Sequence, residues 1–286
     1  MQFQSFVDDI QKNKWQVFGA EVYEGGRLIH QYGDTMQRHP IYSATKTITS
    51  LAVGMAADDG KLDIRRSVLD DLPSDMVGRM SAEQRRSYQN ITLERLLTMS
   101  VRGYPFRPEG ESWLENALQI PISEQRVFDY SNVSAYLAGV AAACAVGEDL
   151  YRYLNRRLFM PLGIIDPPCG RCPDGYFYGA SQMALSANEL SRIGMLLSNG
   201  GVYEGQRIVS QAYVKQATSV QIMNREGGYG YFIWKYRDGF SINGKWGQKC
   251  YVLPEKGLMV TYLSHMVQGS GDVRASMEKH ILGGNV

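Results

Sequence analysis

The spacing of hydrophobic positions changes character several times along this chain. Phe3, Phe6, Val7 and Ile10 recur at helical intervals, which predicts an amphipathic helix within residues 1–14. Residues 16–24 then alternate in strand fashion, Glu24-Gly25-Gly26-Arg27 supplies a turn, and residues 28–32 return, so a β-hairpin follows. Over residues 44–59 the apolar positions Ile48, Leu51, Ala52 and Met55 resume a helical period, with Gly60 placed as a C-cap. Helical patterns dominate up to about residue 199, at 92–99, 133–145, 150–158 and 187–197. Strand signals come back at 230–236, 240–243, 248–253 and 258–263, the last two joined by Pro254-Glu255-Lys256-Gly257, and a final helix is predicted over about 272–282.

A helix and hairpin, a long helical excursion, consecutive strands and a closing helix describe an α+β protein: an antiparallel sheet flanked by N- and C-terminal helices. Residues 1–58 and 200–286 are assigned to the sheet domain and residues 59–199 to an inserted, mainly helical domain, with an active site expected at their junction.

Composition narrows the partners. With 286 residues, 44% hydrophobic, the chain has the material for a large core, and a formal charge of +1 lacks the footprint that nucleic acid or an anionic membrane would require. No stretch approaches eighteen uninterrupted apolar residues and the start lacks a signal-peptide pattern, so no membrane contact and a cytoplasmic location are expected. Cys169 and Cys172 form the one suggestive cysteine pair; a zinc site needs two more ligands at similar spacing, and Cys144 and Cys250 read as packed small hydrophobes, so no metal is expected.

Two short motifs carry chemistry. In Ser43-Ala44-Thr45-Lys46 the serine opens a helix and the lysine follows one turn later on the same face, where a desolvated amine can help remove the hydroxyl proton. The helix N-terminus adds free N–H groups near a developing oxyanion. The spacing is cheap, since Ser276-Met277-Glu278-Lys279 repeats it inside the last helix, where it reads as a solvated face; the bland reading of Ser43 is an N-cap. Tyr130-Ser131-Asn132 precedes the helix near Val133, at a junction that projects side chains into a cleft. Tyr88-Gln89-Asn90 and Tyr153-Leu154-Asn155 match the same Tyr-x-Asn pattern.

Together with Asp59-Gly60-Lys61-Leu62, residues 91–99, Phe159-Met160-Pro161-Leu162-Gly163 and Tyr178-Gly179-Ala180-Ser181, these stretches resemble the class C β-lactamase-related serine hydrolases, including penicillin-binding-protein-like esterases and nylon-oligomer (6-aminohexanoate-dimer) amidohydrolases. The resemblance implies a β-lactamase/transpeptidase-like fold, no cofactor, and a small ester or amide as substrate. It implies Ser43 as nucleophile, Lys46 and Tyr130 sharing proton acceptance, Asn132 against Lys46 and the substrate, and the N–H groups of Ser43 and Lys245 as the oxyanion hole. Tyr104 and Trp113 fall where relatives place aromatics over the cleft, and Gly244 and Trp246 where they contact substrate.

The third motif of the family, Lys-Thr-Gly, is altered. Ordering by Gly244-Lys245-Trp246-Gly247-Gln248 puts Ile242-Asn243-Gly244 there, with Lys245-Trp246-Gly247 as the competing alignment. The preferred alignment leaves no cation at the motif's head, which disfavours substrates that need their carboxylate held there. A carboxylesterase or amidohydrolase is therefore expected ahead of a β-lactamase or DD-peptidase, and both ahead of an inactive binding module of the same fold.

Overall fold

The computed structural model describes residues 1–283; the end of the expected sheet domain, residues 284–286, lies outside the described residues. A helix α1 (Phe3–Lys12) buries Phe6, Val7 and Ile10, the stripe read from the sequence. It leads into β1 (Val17–Glu24) and β2 (Arg27–Gly33), and after a long interval the sheet is completed by β3 (Trp234–Tyr236), β4 (Gly239–Gly244), β5 (Gln248–Leu253) and β6 (Leu258–Ser264). The strand order is β2-β1-β6-β5-β4-β3, antiparallel at every pairing, so the first hairpin lies against the last strand.

One face of the sheet packs on α1 and the closing helix α5 (Ser270–His280) through Phe6, Ile10, Tyr251, Tyr262, Val273 and Met277. Ser276 belongs to this contact: it is buried and donates to Asp9 Oδ2 at 2.6 Å, so the second Ser-x-x-Lys spacing is a helix-to-helix hydrogen bond and not a solvated face. The other face packs on α4 (Ala187–Ser198) and on the core that contains α2 (Thr45–Asp58) and α3 (Asn132–Val146).

The apolar stripe of α2 predicts a one-sided helix, yet every residue from Thr45 to Ala56 is buried. Its polar side is satisfied across the chain: Thr49 Oγ1 donates to the Gly179 carbonyl at 2.7 Å, Thr47 Oγ1 to the Phe232 carbonyl at 3.3 Å, and the Ser50 hydroxyl lies 3.1 Å from that of Tyr213. Hydroxyls short enough to be matched one by one let the helix that follows Ser43 run buried through the core.

The strand expected over residues 230–236 is ladder-paired only at Trp234–Tyr236. The amides of Tyr231 and Phe232 donate to the carbonyls of Ala217 and Leu97 instead, and Phe232 takes a φ of 57°, so this segment is bound to the helical region and not to a strand.

Candidate active site

Ser43 sits in a single 3-10 turn, Tyr42–Ala44, that feeds directly into α2. Tyr42 holds a left-handed φ of 47°, a strained conformation for a bulky aromatic, and places Ser43 at the rim of a cavity of about 360 Å³. Ser43, Tyr130, Asn132, Gly244 and Lys245 all line that cavity. A cavity of about 940 Å³ lies elsewhere, against Gln211, Lys215 and Asp238, but among the described residues no hydroxyl lining it is hydrogen-bonded to a lysine side chain, the hydroxyls of Thr218 and Ser219 being given to backbone carbonyls, so side-chain geometry and not size selects the candidate site.

Lys46 is fully buried with three oxygen atoms around its amine: Ser43 Oγ at 3.1 Å, Asn132 Oδ1 at 2.7 Å and the Ala180 carbonyl at 2.8 Å. No carboxylate pairs with it among the described residues, and burial lowers its pKa to about 7. A neutral amine has two N–H bonds and one lone pair. The Asn132 and Ala180 oxygens use both donors, leaving the lone pair to accept the Ser43 hydroxyl.

The pairing with Asn132 spans 86 residues of sequence and depends on a local division of labour. Ser131, not Asn132, caps α3: its Oγ accepts the Val133 N–H at 3.0 Å and donates to the Pro105 carbonyl at 2.6 Å. Asn132 is thereby free to turn inward, and its Nδ2 donates to the Tyr178 hydroxyl at 3.1 Å, which orients Oδ1 toward Lys46. The other Tyr-x-Asn matches do something else: Tyr88 donates to the Ala117 carbonyl and Tyr153 to Asp59.

Tyr130 stacks on Trp234 with ring centroids 5.7 Å apart and meets Tyr229 edge-on at 6.3 Å, while the Lys46 amine lies 5.0 Å from its centroid. Burial pushes the phenol up to about 12, a rise that the neighbouring Ser43 hydroxyl opposes and the charge of Glu226 reinforces. At neutral pH the pair therefore offers an amine near its midpoint beside a phenol that keeps its proton.

Strand β4 ends against the segment that carries Ser43. A Cβ built on Gly244 would stand 2.1 Å from the Ile41 carbonyl oxygen, so only glycine permits this approach. The following turn is fixed through its carbonyls: Gln248 Nε2 donates to Lys245 at 3.1 Å, Ser264 Oγ donates to Gly247 at 3.0 Å, and the Met266 amide donates to Trp246 at 3.0 Å. Neither the Ser43 nor the Lys245 amide donates to a loop, turn or side-chain acceptor among the described residues. Gly244→Ala is expected to destabilise the chain by about 1–3 kcal/mol through this overpacking and to slow Ser43 acylation, measurable by urea denaturation and by the rate of phosphonylation.

Three expected substrate contacts stand outside the cavity lining. Tyr104 is buried beside Tyr88, 6.3 Å between ring centroids, because the loop that carries it folds into the helical core. Trp113 packs edge-on against Tyr178 at 4.9 Å and Tyr136 at 6.0 Å; it supports Tyr178, the residue that orients Asn132. Trp246 packs against Tyr42 at 5.0 Å and His265 at 4.6 Å. Phe106, Ser181, Glu226, Trp234 and Lys249 line the cavity without having been singled out. Ser181 belongs to the Tyr178–Ser181 stretch, and Lys249 is a charge in a strand that continues as Cys250-Tyr251-Val252-Leu253, which is the sequence signal for it.

The fold has counterparts among proteins of known structure. The chain is similar to a protein provisionally named 6-aminohexanoate-dimer hydrolase from Bacillus anthracis, with 16% identity, 96% of this chain and 80% of that one covered, and a TM-score of 0.77. A β-lactamase/D-alanine carboxypeptidase from Pseudomonas syringae matches at 14% identity over 99% and 98% of the two chains with a TM-score of 0.76. An octameric penicillin-binding protein homologue from Pyrococcus abyssi matches at 17% identity over 100% and 78%, with a TM-score of 0.71. A comparison with curated protein sequences returns no significant match. These likenesses are of fold; the sequence model described as Beta-lactamase matches residues 7–281, and the chain belongs to the Beta-lactamase family.

Proposed function

We propose that this chain hydrolyses a carboxylic ester or amide through an acyl-enzyme on Ser43. The observation that carries the reading is the coordination of Lys46, whose two obligate acceptors leave its lone pair for the Ser43 hydroxyl. In this reading Lys46 accepts the Ser43 proton as Oγ attacks the carbonyl carbon, and the Ser43 and Lys245 amides stabilise the resulting oxyanion by roughly 3 kcal/mol per donor. Tyr130, which holds its proton at neutral pH, gives it to the departing alkoxide or amine and is reprotonated from Lys46. Water then attacks the acyl carbon as Lys46 takes its proton, and that proton passes to Ser43 Oγ as the bond between the acyl carbon and Oγ breaks, which frees the acid and restores the starting state.

An esterase or amidohydrolase is favoured over a β-lactamase by Ile242. Its side chain is fully buried in the core beneath the sheet, so the head of the third motif presents no charge to the cleft. The test is intact-mass analysis after incubation with a fluorophosphonate, on wild type and Ser43→Ala, together with turnover of a p-nitrophenyl ester and a chromogenic cephalosporin. A single adduct on wild type only, with ester turnover far above cephalosporin turnover, supports the reading. An adduct that persists in Ser43→Ala, or no adduct and no turnover in folded wild type, overturns it.

A further inference from the structure

The contacts that orient Asn132 do not end at Tyr178. Tyr178 leaves a tight turn in which the Cys172 amide donates to the Tyr176 carbonyl at 2.9 Å and Arg171 bridges to Phe177, and within that turn lies Asp174. Its carboxylate reaches across to the helix Trp113–Gln119. Oδ1 accepts the Ser112 hydroxyl at 2.6 Å, while Oδ2 accepts the amides of Trp113 at 2.8 Å and Leu114 at 3.2 Å and the Tyr136 hydroxyl of α3 at 3.0 Å, with the Cys172 thiol 3.7 Å away. Ser112 Oγ accepts the Glu115 amide at 3.1 Å, so two residues satisfy the first three amides of that helix. Burial opposes ionisation of Asp174, but the hydrogen bonds, led by that from Ser112, outweigh it and hold the carboxyl below its ordinary value, so it serves as an acceptor only.

Ser112 already caps the helix, and what Asp174 adds is position. It fixes the residue at which the helix starts, Trp113, whose ring lies edge-on against Tyr178 at 4.9 Å and Tyr136 at 6.0 Å. The Tyr178 hydroxyl receives Asn132 Nδ2 at 3.1 Å, and Asn132 Oδ1 receives Lys46 at 2.7 Å. The second acceptor of Lys46, the Ala180 carbonyl at 2.8 Å, stands two residues beyond Tyr178 on the same segment. Both acceptors therefore depend on residues 174–180, and Asp174 tethers that segment to the helical region. The other groups at the Lys46 amine are the Ser43 hydroxyl and the Tyr130 ring, with no carboxylate paired to it among the described residues.

A carboxamide presents an oxygen on one side and two N–H donors on the other in nearly the same shape. Held by Tyr178, Asn132 turns its oxygen to Lys46. Released, it can turn its NH₂ there instead and occupy the lone pair that would receive the Ser43 proton. We propose that Asp174 is a positioning residue for the reaction: through Trp113 and Tyr178 it holds the Asn132 amide in the orientation that leaves the Lys46 lone pair to Ser43. This rests on the reading of Ser43 as the nucleophile.

The pH profile of kcat/KM for a p-nitrophenyl ester tests it, because loss of an acceptor beside a buried amine disfavours the charged form. Asp174→Ala is expected to lower the plateau about 10-fold and to move the midpoint, set in wild type by Lys46 at about 7, down by about half a pH unit or more. Tyr178→Phe keeps the ring beside Trp113 and removes the oxygen that receives Asn132; it is expected to give the same displacement, and the double variant no more than Tyr178→Phe alone. Asp174→Asn keeps one oxygen for the two amides and is expected to show a smaller displacement of the same sign, so it carries the test if Asp174→Ala does not fold. An unchanged profile, a loss of rate by one factor at every pH, or effects that add in the double variant would reduce Asp174 to a helix cap and overturn the proposal. If wild type turns over no ester, the nucleophile reading is what has failed, and the Lys46 amine is then read directly by ¹³C NMR of the lysine Cε carbons, its signal assigned by its loss in Lys46→Met. A lower Lys46 midpoint in the Asp174 variant than in wild type supports the positioning role, and an equal one overturns it.

Discussion

Lys46→Met is expected to lower kcat/KM for ester hydrolysis by about 10³- to 10⁴-fold while leaving the chain folded, the upper part of what a positioned base contributes. The fold survives because two effects oppose each other. Removing an amine that burial holds at about 7, against an ordinary value of 10.5, relieves several kcal/mol of desolvation at neutral pH. Against this, the Asn132 and Ala180 oxygens lose their donor, at about 1–3 kcal/mol each. The net change is small compared with the loss of rate, so circular dichroism and a urea titration should show a native variant that does not turn over.

The same lysine sets two pH dependences of known sign. If its lone pair is the base, kcat/KM of wild type rises about tenfold per pH unit below about 7 and levels off above it. Stability follows from proton counting: between about 7 and 10.5 the unfolded chain holds a proton on Lys46 that the folded chain has lost, so the protein gains stability as pH rises through that interval. Lys249, lowered to about 8, adds a slope of the same sign higher in the range. The difference in urea midpoints between wild type and Lys46→Met, followed from pH 7 to 9, isolates the Lys46 share; parallel curves would show that its amine is not the depressed group.

Period and turn chemistry made most of the fold legible. The stripe of Phe6, Val7 and Ile10, the Gly25-Gly26 turn, and the strands that became Gln248–Leu253 and Leu258–Ser264 were all readable because each element buries a face whose period is its own signature. Periodicity failed where burial was not one-sided. Helix α2 is buried on all sides, and nothing in a window of sequence says that Thr47 and Thr49 will find carbonyls at Phe232 and Gly179.

The site was legible to the extent that its residues sit in short motifs with fixed local geometry. Ser43 and Lys46 needed only one helical turn. Asn132 needed a partner 86 residues away, and its assignment came from family resemblance, not from spacing. Tyr104 shows the limit of reading loops: an aromatic between helices carries much apolar surface and packs inward when a core is adjacent, whereas Trp113, at the start of a helix, stays half-buried against Tyr178 and Tyr136. Lys249 is inconspicuous for the opposite reason, since a lone charge in a mostly apolar strand looks like a tolerated defect until the strand is placed beside a cavity.

Tyr130→Phe divides the two roles that sequence left shared between Tyr130 and Lys46. The replacement keeps the ring that stacks on Trp234 at 5.7 Å and meets Tyr229 at 6.3 Å, so it removes the hydroxyl with little disturbance of packing. If Tyr130 protonates the leaving group, its loss matters in proportion to how much the leaving group needs a proton. An ethyl ester expels a strongly basic alkoxide and is expected to lose about 10²- to 10³-fold in kcat/KM, the scale of general acid catalysis. The p-nitrophenyl ester of the same acid expels a stable phenolate and should lose no more than about 10-fold. Equal large losses on both esters would instead make the phenolate of Tyr130 the base for Ser43, despite the burial that pushes it up to about 12, and would reduce Lys46 to holding that base in place.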